Sequence, residues 1–293
     1  MLLIGESLNV ISKKIGRALK ERDPIPIQEE AKRQKELGMD FIDINLGPAR
    51  KGGPELMEWV VKTVQAVVDD VPLALDTSNI EAIEAGLAAC KGRGMINSIM
   101  CRKERYERML PLCAKYNARM IALLWGPHGM PRDEHERAEL AVELVYAANE
   151  AGITNEDIFV DGIVTPVNVQ QDQVFSLLQF MPMVKDLGEG LKSTCGLSNV
   201  SNGAPDQLRP ILNQTYLVML EKSGLCSAIA DPYDKALVDI ARGRRPEIVE
   251  IIGKVMDEES INLSSLPREL RDYAKTARIL LKKSLYSDSW LEL

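Results

Sequence analysis

Acidic and amide side chains recur in this chain at the ends of short apolar runs. Leu2–Asn9 carries Glu6 and Asn9, Phe41–Gly47 carries Asp43 and Asn45, and Pro72–Thr77 holds Asp76. Met95–Ile99 holds Asn97, and Ile158–Val164 holds Asp161, with Asn168 following. Lys192–Asn199 ends in Asn199 with Asn202 just beyond, and Ser227–Asp231 ends in Asp231. The run Met120–Trp125 is the exception, closing on Leu124 and Trp125. Any one of these residues serves equally well as a helix cap or turn former. Several, however, fall inside the apolar run, as in Ile42-Asp43-Ile44-Asn45 and Met95-Ile96-Asn97. A polar group held there is costly unless it finds partners, so the set points to binding. Asp and Asn together offer paired donors and acceptors, which suit the edge of a fused heterocycle; a phosphate would call for Arg and Lys. Carboxylates can also hold magnesium, but amides alternate with them here, and no metal site is expected.

Other chemistries find little support. The only histidines, His128 and His135, share one stretch, which disfavours a histidine zinc site and a Ser-His-Asp triad. Lys192 opens its run, so no strand-end lysine is placed for a Schiff base.

The elements that must position the polar residues follow from periodicity. The eight apolar runs alternate with segments whose apolar residues recur at helical spacing. Ile27–Leu37 is amphipathic, and Glu55–Val68 sets Leu56, Trp59, Val60, Val64 and Val67 against Glu58, Lys62 and Gln65. Ser78-Asn79 precede a helix over Glu81–Cys90; Asp133 precedes one over Ala138–Ala148 that Gly152 closes. Such alternation implies parallel strands with right-handed crossovers. The G-x-G-x-x-G turn and the P-loop are both absent, and eight even repeats favour a (β/α)8 TIM barrel over an open sheet. In that fold the active site lies at the C-terminal strand ends, where the Asp and Asn residues stand. The tail from Gly243 is helical and charged over Ile248–Met256 and Leu270–Leu281, with a break at Asn262–Pro267, and reads as an appended C-terminal helical segment.

Composition sets outer bounds. The 293 residues, 45% hydrophobic and 27% charged, describe a globular chain. A net charge of -7 argues against broad nucleic-acid binding, despite the local cluster Arg242, Arg244 and Arg245. Met1–Ile4 is too short for a signal peptide, and no later apolar run reaches the roughly 20 residues of a membrane span. Five cysteines (Cys90, Cys101, Cys113, Cys195, Cys226), odd in number and at no metal-ligand spacing, read as reduced thiols of a cytoplasmic protein.

With these residues in place, the chain resembles the methyltetrahydrofolate:corrinoid protein methyltransferases of the pterin-binding TIM-barrel superfamily. The resemblance runs from Ile4-Gly5-Glu6 to Ala230-Asp231, through Asp43-Ile44-Asn45-Leu46-Gly47-Pro48, Leu75-Asp76-Thr77-Ser78-Asn79 and Met95-Ile96-Asn97-Ser98. It continues through Asp161, Thr165-Pro166-Val167-Asn168 and Gly196-Leu197-Ser198-Asn199-Val200-Ser201, and the tail 281–290 fits the family's last helix. The ordered series, each member at its own strand end, is what makes the resemblance specific. It implies that Asp76, Asn97 and Asp161 hydrogen-bond the pterin ring and that Asn199 approaches N5, which makes Asn199 and Asp161 the candidate catalytic residues. Glu6, Asn9, Asp43, Asn45, Asn168, Ser201, Asn202, Arg209 and Asp231 complete the expected pterin and folate contacts.

The implied substrate is tetrahydrofolate or its methyl derivative. The implied methyl carrier is a corrinoid (cobalamin) on a partner, either the corrinoid iron–sulfur protein or a dedicated demethylase corrinoid protein. A homodimer, with no nucleic-acid or membrane partner, is implied as well. Residues 1–293 then form a single pterin-binding barrel, and 243–270 departs from the family pattern as a helical insertion before the last helix. Two alternatives stand beside this reading: a dihydropteroate-synthase-like enzyme, which needs a basic diphosphate site not evident at these strand ends, and a non-catalytic pterin-binding subunit. A methionine-synthase-like function is disfavoured by length.

Overall fold

Period-two alternation along each strand decides which side chains the sheet turns inward. The computed structural model describes residues 1–292 and contains eight parallel strands. These are β1 (Leu2–Asn9), β2 (Phe41–Gly47), β3 (Leu73–Thr77), β4 (Met95–Met100), β5 (Arg119–Leu123), β6 (Ile158–Asp161), β7 (Lys192–Thr194) and β8 (Ser227–Ala230). One residue from each of β1 to β6, namely Ile4, Phe41, Ala74, Met95, Ile121 and Phe159, meets in a separate apolar cluster, with Leu2 and Ile229 against it. Two positions further on, the same columns carry Glu6, Asp43, Asp76, Asn97, Leu123, Asp161 and Asp231. The barrel interior is therefore apolar at its base and polar at its mouth. The intervening residues, such as Leu3, Ile42, Leu75, Ile96 and Val160, join the larger core under the helices.

The strand order β7-β6-β5-β4-β3-β2-β1-β8 is that of the barrel expected from the eight repeats. The seam between β7 and β8 is closed by Ile229 N–H donating to the Cys195 carbonyl at 2.8 Å and by Ser227 Oγ donating to the Ser193 carbonyl at 2.9 Å. Register shifts between Gly5 and Leu8 in β1, and between Ile96 and Ile99 in β4, bend these strands at the rim.

Helix boundaries follow local chemistry. Asn79 Oδ1 accepts from Ala82 N–H and caps the helix Ile80–Ala89, while Asp133 caps Glu134–Glu150 through Glu136 N–H. β6 and β7 stop well short of their apolar runs. β6 stops at Asp161 because its carboxylate captures the Ile163 N–H at 2.8 Å and Ile163 turns to a φ of 69°. β7 stops at Thr194, and the chain enters a 3-10 turn over Leu197–Ser201. The tail forms the helices Pro246–Met256 and Arg268–Leu280, both packed on Arg209–Lys222. Trp290 is buried and donates from Nε1 to Thr276 Oγ1 at 2.9 Å. Among the described residues no helix is long and apolar enough to cross a membrane, and the five cysteines are unpaired.

Candidate active site

Strand register assembles the polar rim. Asn9 pairs with Asn45, Asn45 with Asp76, and Asp76 with Asn97 across β1 to β4. On the far side Asp161 sits level with Leu123 of β5 and Thr194 of β7. Glu6, Asn9, Asp43, Asn45, Asp76, Asn97, Leu123, Asp161 and Asn199 line a cavity of about 420 Å³ at the barrel mouth. That volume suits a small organic ligand.

The rim is cross-linked before any ligand arrives. Asn97 Nδ2 donates to Asp43 Oδ1 at 2.9 Å, and Asn45 Nδ2 makes a short bond to Asp76 Oδ2. Ser198 Oγ donates to Glu6 Oε1 at 2.6 Å, tying the β7 loop to β1. Asn202 Nδ2 donates to Asn199 Oδ1 at 3.1 Å, which leaves the Asn199 amide nitrogen to donate elsewhere.

Burial sets the protonation of the four carboxyls. It pushes Asp76 up to about 7 against the opposing pull of the Asn45 hydrogen bond. Asp161 rises to about 6 by burial, held back by the Ile163 N–H and by Arg137. Asp43 stands well above the usual carboxylate range through burial and then the neighbouring Asp76, and Glu6 is raised chiefly by burial. The native chain therefore retains protons that the unfolded chain, with carboxyls near 4, gives up. The stability so contributed is complete below about pH 4 and is lost as pH rises through 6 to 7. Without ligand, the melting temperature is expected to fall between about pH 5 and pH 8, and Asp76→Asn to flatten that fall; a parallel fall in both proteins contradicts it.

The structure brings Glu6, Asn9, Asp43, Asn45, Asp76, Asn97, Asp161 and Asn199 to one cavity. Arg209 and Asp231 line adjoining clefts that share Glu6 with it, and Asn202 lines one of these. Ser201 is fully buried under the loop, where its hydroxyl donates to the Ser198 carbonyl and accepts from Arg209 Nε at 3.3 Å. Asn168 does not join the cavity lining. It is exposed in the first turn of the helix Val167–Phe180, with its amide beside Gly203. Ser98, Met100 and Arg105 line the cavity without having been singled out in the sequence. The β4 bulge turns Ser98 and Met100 toward the mouth, a shift that strict alternation hides. Arg105 comes from the helix Lys103–Lys115 and is anchored on the Ser78 carbonyl at 2.9 Å.

The family profile described as pterin binding enzyme matches residues 5–229, the span from β1 to β8 that builds this mouth. The chain belongs to the pterin-binding enzyme family. It is 27% identical over 240 residues to the methylcorrinoid:tetrahydrofolate methyltransferase of Eubacterium limosum, covering 81% of this chain and 88% of that protein. It is 25% identical over 279 residues to the methionine synthase of Mycobacterium leprae, but that match spans only 23% of the longer protein. Among solved structures, the dihydropteroate synthase of Xanthomonas albilineans superposes with a TM-score of 0.64 at 22% identity, over 84% of this chain and 92% of that one. That likeness is one of fold. The active sites of TIM-barrel enzymes lie at the C-terminal strand ends, and this cavity lies there.

Proposed function

We propose that this pterin-binding enzyme moves the N5-methyl group between methyltetrahydrofolate and the cobalt of a corrinoid carried by a separate protein. The observation that carries the reading is Asn199, on the wall of the carboxylate-and-amide cavity, with its oxygen engaged by Asn202 and its nitrogen free to donate. The Eubacterium limosum relative, similar over most of both chains, bears a name that pairs the same two methyl carriers. Among the described residues the cavity lining holds no cysteine, histidine or lysine, as fits an enzyme whose methyl acceptor arrives from outside.

In this reading Asp76, Asn97 and Asp161 take the hydrogen-bonding edge of the pterin, and Asp43 and Asn45 hold two of them in place. Arg209, in the adjoining cleft, receives a carboxylate of the folate tail. As the N5–CH3 bond breaks, its electron pair returns to N5, and a hydrogen bond from Asn199 strengthens with that charge. An amide is no acid at neutral pH, so the proton that balances the reaction comes from water at the open mouth. Cobalt of the partner's corrinoid supplies the electron pair for the new bond to carbon. The partner docks on the mouth, where Val10, Ile11, Trp125 and Val169 are exposed on the segments that follow β1, β5 and β6. The enzyme acts as a homodimer of single-domain chains, with 243–270 as an added helical segment.

Gly196 supports the placement of Asn199. A Cβ there would meet Asn199 Nδ2 at 3.0 Å, so a side chain displaces the amide by a few tenths of an ångström. Gly196→Ala is expected to slow methyl transfer roughly tenfold with little change in melting temperature or folate affinity. An unchanged rate argues that the Asn199 position does not matter. The function itself is tested by offering two substrate pairs to the purified protein: tetrahydrofolate with methylcobalamin, and a pterin diphosphate with p-aminobenzoate. Methyltetrahydrofolate from the first pair is the expected product. Dihydropteroate from the second, or binding without either product, replaces the reading with one of its alternatives.

A further inference from the structure

Arg137 lies on the helix Glu134–Glu150, outside the cavity lining, and is fully buried. A buried guanidinium is expensive, and its donors must be used. Nε donates to the Gly162 carbonyl at 2.7 Å, Nη1 to Ser176 Oγ at 2.9 Å and Nη2 to Gln173 Oε1 at 2.8 Å. Among the described residues no carboxylate touches it directly; Glu134 is linked to it through Ser176 Oγ, at 2.8 Å. Gly162 is the centre of the turn that presents Asp161. Its carbonyl is held by Arg137, and a Cβ there would lie 2.5 Å from Leu177 Cδ1. The next residue, Ile163, is β-branched at a φ of 69°, a strained conformation that persists only where its surroundings impose it. One buried cation thus braces, from behind, the turn whose front face is the Asp161 carboxylate.

We propose that Arg137 is a positioning residue of the pterin site: it fixes the Asp161–Ile163 turn and keeps Asp161 in the acceptor form that the donor edge of a pterin requires. This inference rests on reading the cavity as a pterin site. An ionised carboxylate accepts from both the amino group and the ring N–H of a pterin, whereas a protonated one accepts less well. Burial raises Asp161 to about 6, and the Ile163 N–H and Arg137 oppose that rise. The buried Cys195 thiol also faces Asp161, and Glu6 lies beyond it. Arg137 is faced in turn by Tyr216, Glu134 and Asp133. Removing the cation raises Asp161 further, so that less of it is ionised at neutral pH.

The test is the dissociation constant of methyltetrahydrofolate between about pH 5.5 and 8.5 for the natural protein, Arg137→Met and Arg137→Lys. For Arg137→Met, the acidic limb is expected to move up by about one pH unit, so that binding is weaker by about eightfold at pH 5.5, by about twofold at pH 7 and hardly at all at pH 8.5, beyond any uniform loss from the loosened turn. Arg137→Lys keeps the cation but not the fork, so its limb stays in place while affinity drops several-fold throughout. A uniform loss in Arg137→Met, with the limb unmoved, overturns the proposal. Should Arg137→Met fail to fold, natural affinity in Arg137→Lys overturns it, and a pH-independent loss there supports it. If the natural protein binds no pterin, the site reading itself fails and takes this inference with it.

Discussion

Asn199→Ala is expected to lower the rate of methyl transfer by about 10²–10³-fold while changing methyltetrahydrofolate affinity by no more than about threefold. The asymmetry follows from where the charge is. In bound methyltetrahydrofolate N5 is a neutral tertiary amine, a weak acceptor that gains little from the amide. As the N–C bond breaks, the electron pair accumulates on N5, and a donor fixed at that point acts mainly on the transition state. The amide is held by Asn202 on its oxygen at 3.1 Å, and the absence of a side chain at Gly196 leaves its nitrogen the room it occupies. Single-turnover rates and equilibrium binding, measured on the same preparation, separate the two effects. Equal losses in rate and affinity would make Asn199 a binding residue.

Asp161→Asn inverts that pattern. The buried carboxylate offers two acceptor oxygens, one already used by the Ile163 N–H at 2.8 Å. An amide in its place turns a donor toward the donor edge of the pterin, losing a charge-assisted hydrogen bond worth ~1.5–3 kcal/mol. Affinity for methyltetrahydrofolate is expected to fall about 10- to 100-fold, with the rate at saturation nearly unchanged. The part of the pH dependence of binding that arises from Asp161 should vanish with it. Natural affinity in Asp161→Asn would remove Asp161 from the pterin contacts.

The barrel was legible because both of its signals are local. Each strand is a short apolar run, and the inward columns of β1 to β6, that of β5 excepted, change from apolar to polar within two residues, as Phe41 to Asp43 or Phe159 to Asp161. The rim residues Asp43, Asn45, Asp76, Asn97 and Asp161 stand out for the same reason: they interrupt runs that a core strand would keep apolar. What stayed hidden depends on contacts between distant segments. The apolar Gly162-Ile163-Val164 extends a strand pattern, yet the Asp161 carboxylate ends the strand by capturing a backbone N–H. Arg137 looks like a surface arginine in a charged helix and is buried only because helix Val167–Phe180 supplies Ser176 and Gln173. Asn168 follows a family-like motif, but the helix start carries it outward into solvent. Arg105 gave no signal because it belongs to a helix rather than a strand end.

The central claim is that this chain positions and polarises a methyl donor whose acceptor comes from elsewhere. It is tested most directly by mixing the protein anaerobically with methyltetrahydrofolate and free cob(I)alamin and following the corrinoid spectrum. The account predicts loss of the cob(I)alamin bands and growth of those of methylcobalamin, with one tetrahydrofolate formed and one proton taken up per methyl moved. Saturable folate binding with an unchanged corrinoid spectrum, from a preparation in which the reverse reaction is equally silent, would contradict it.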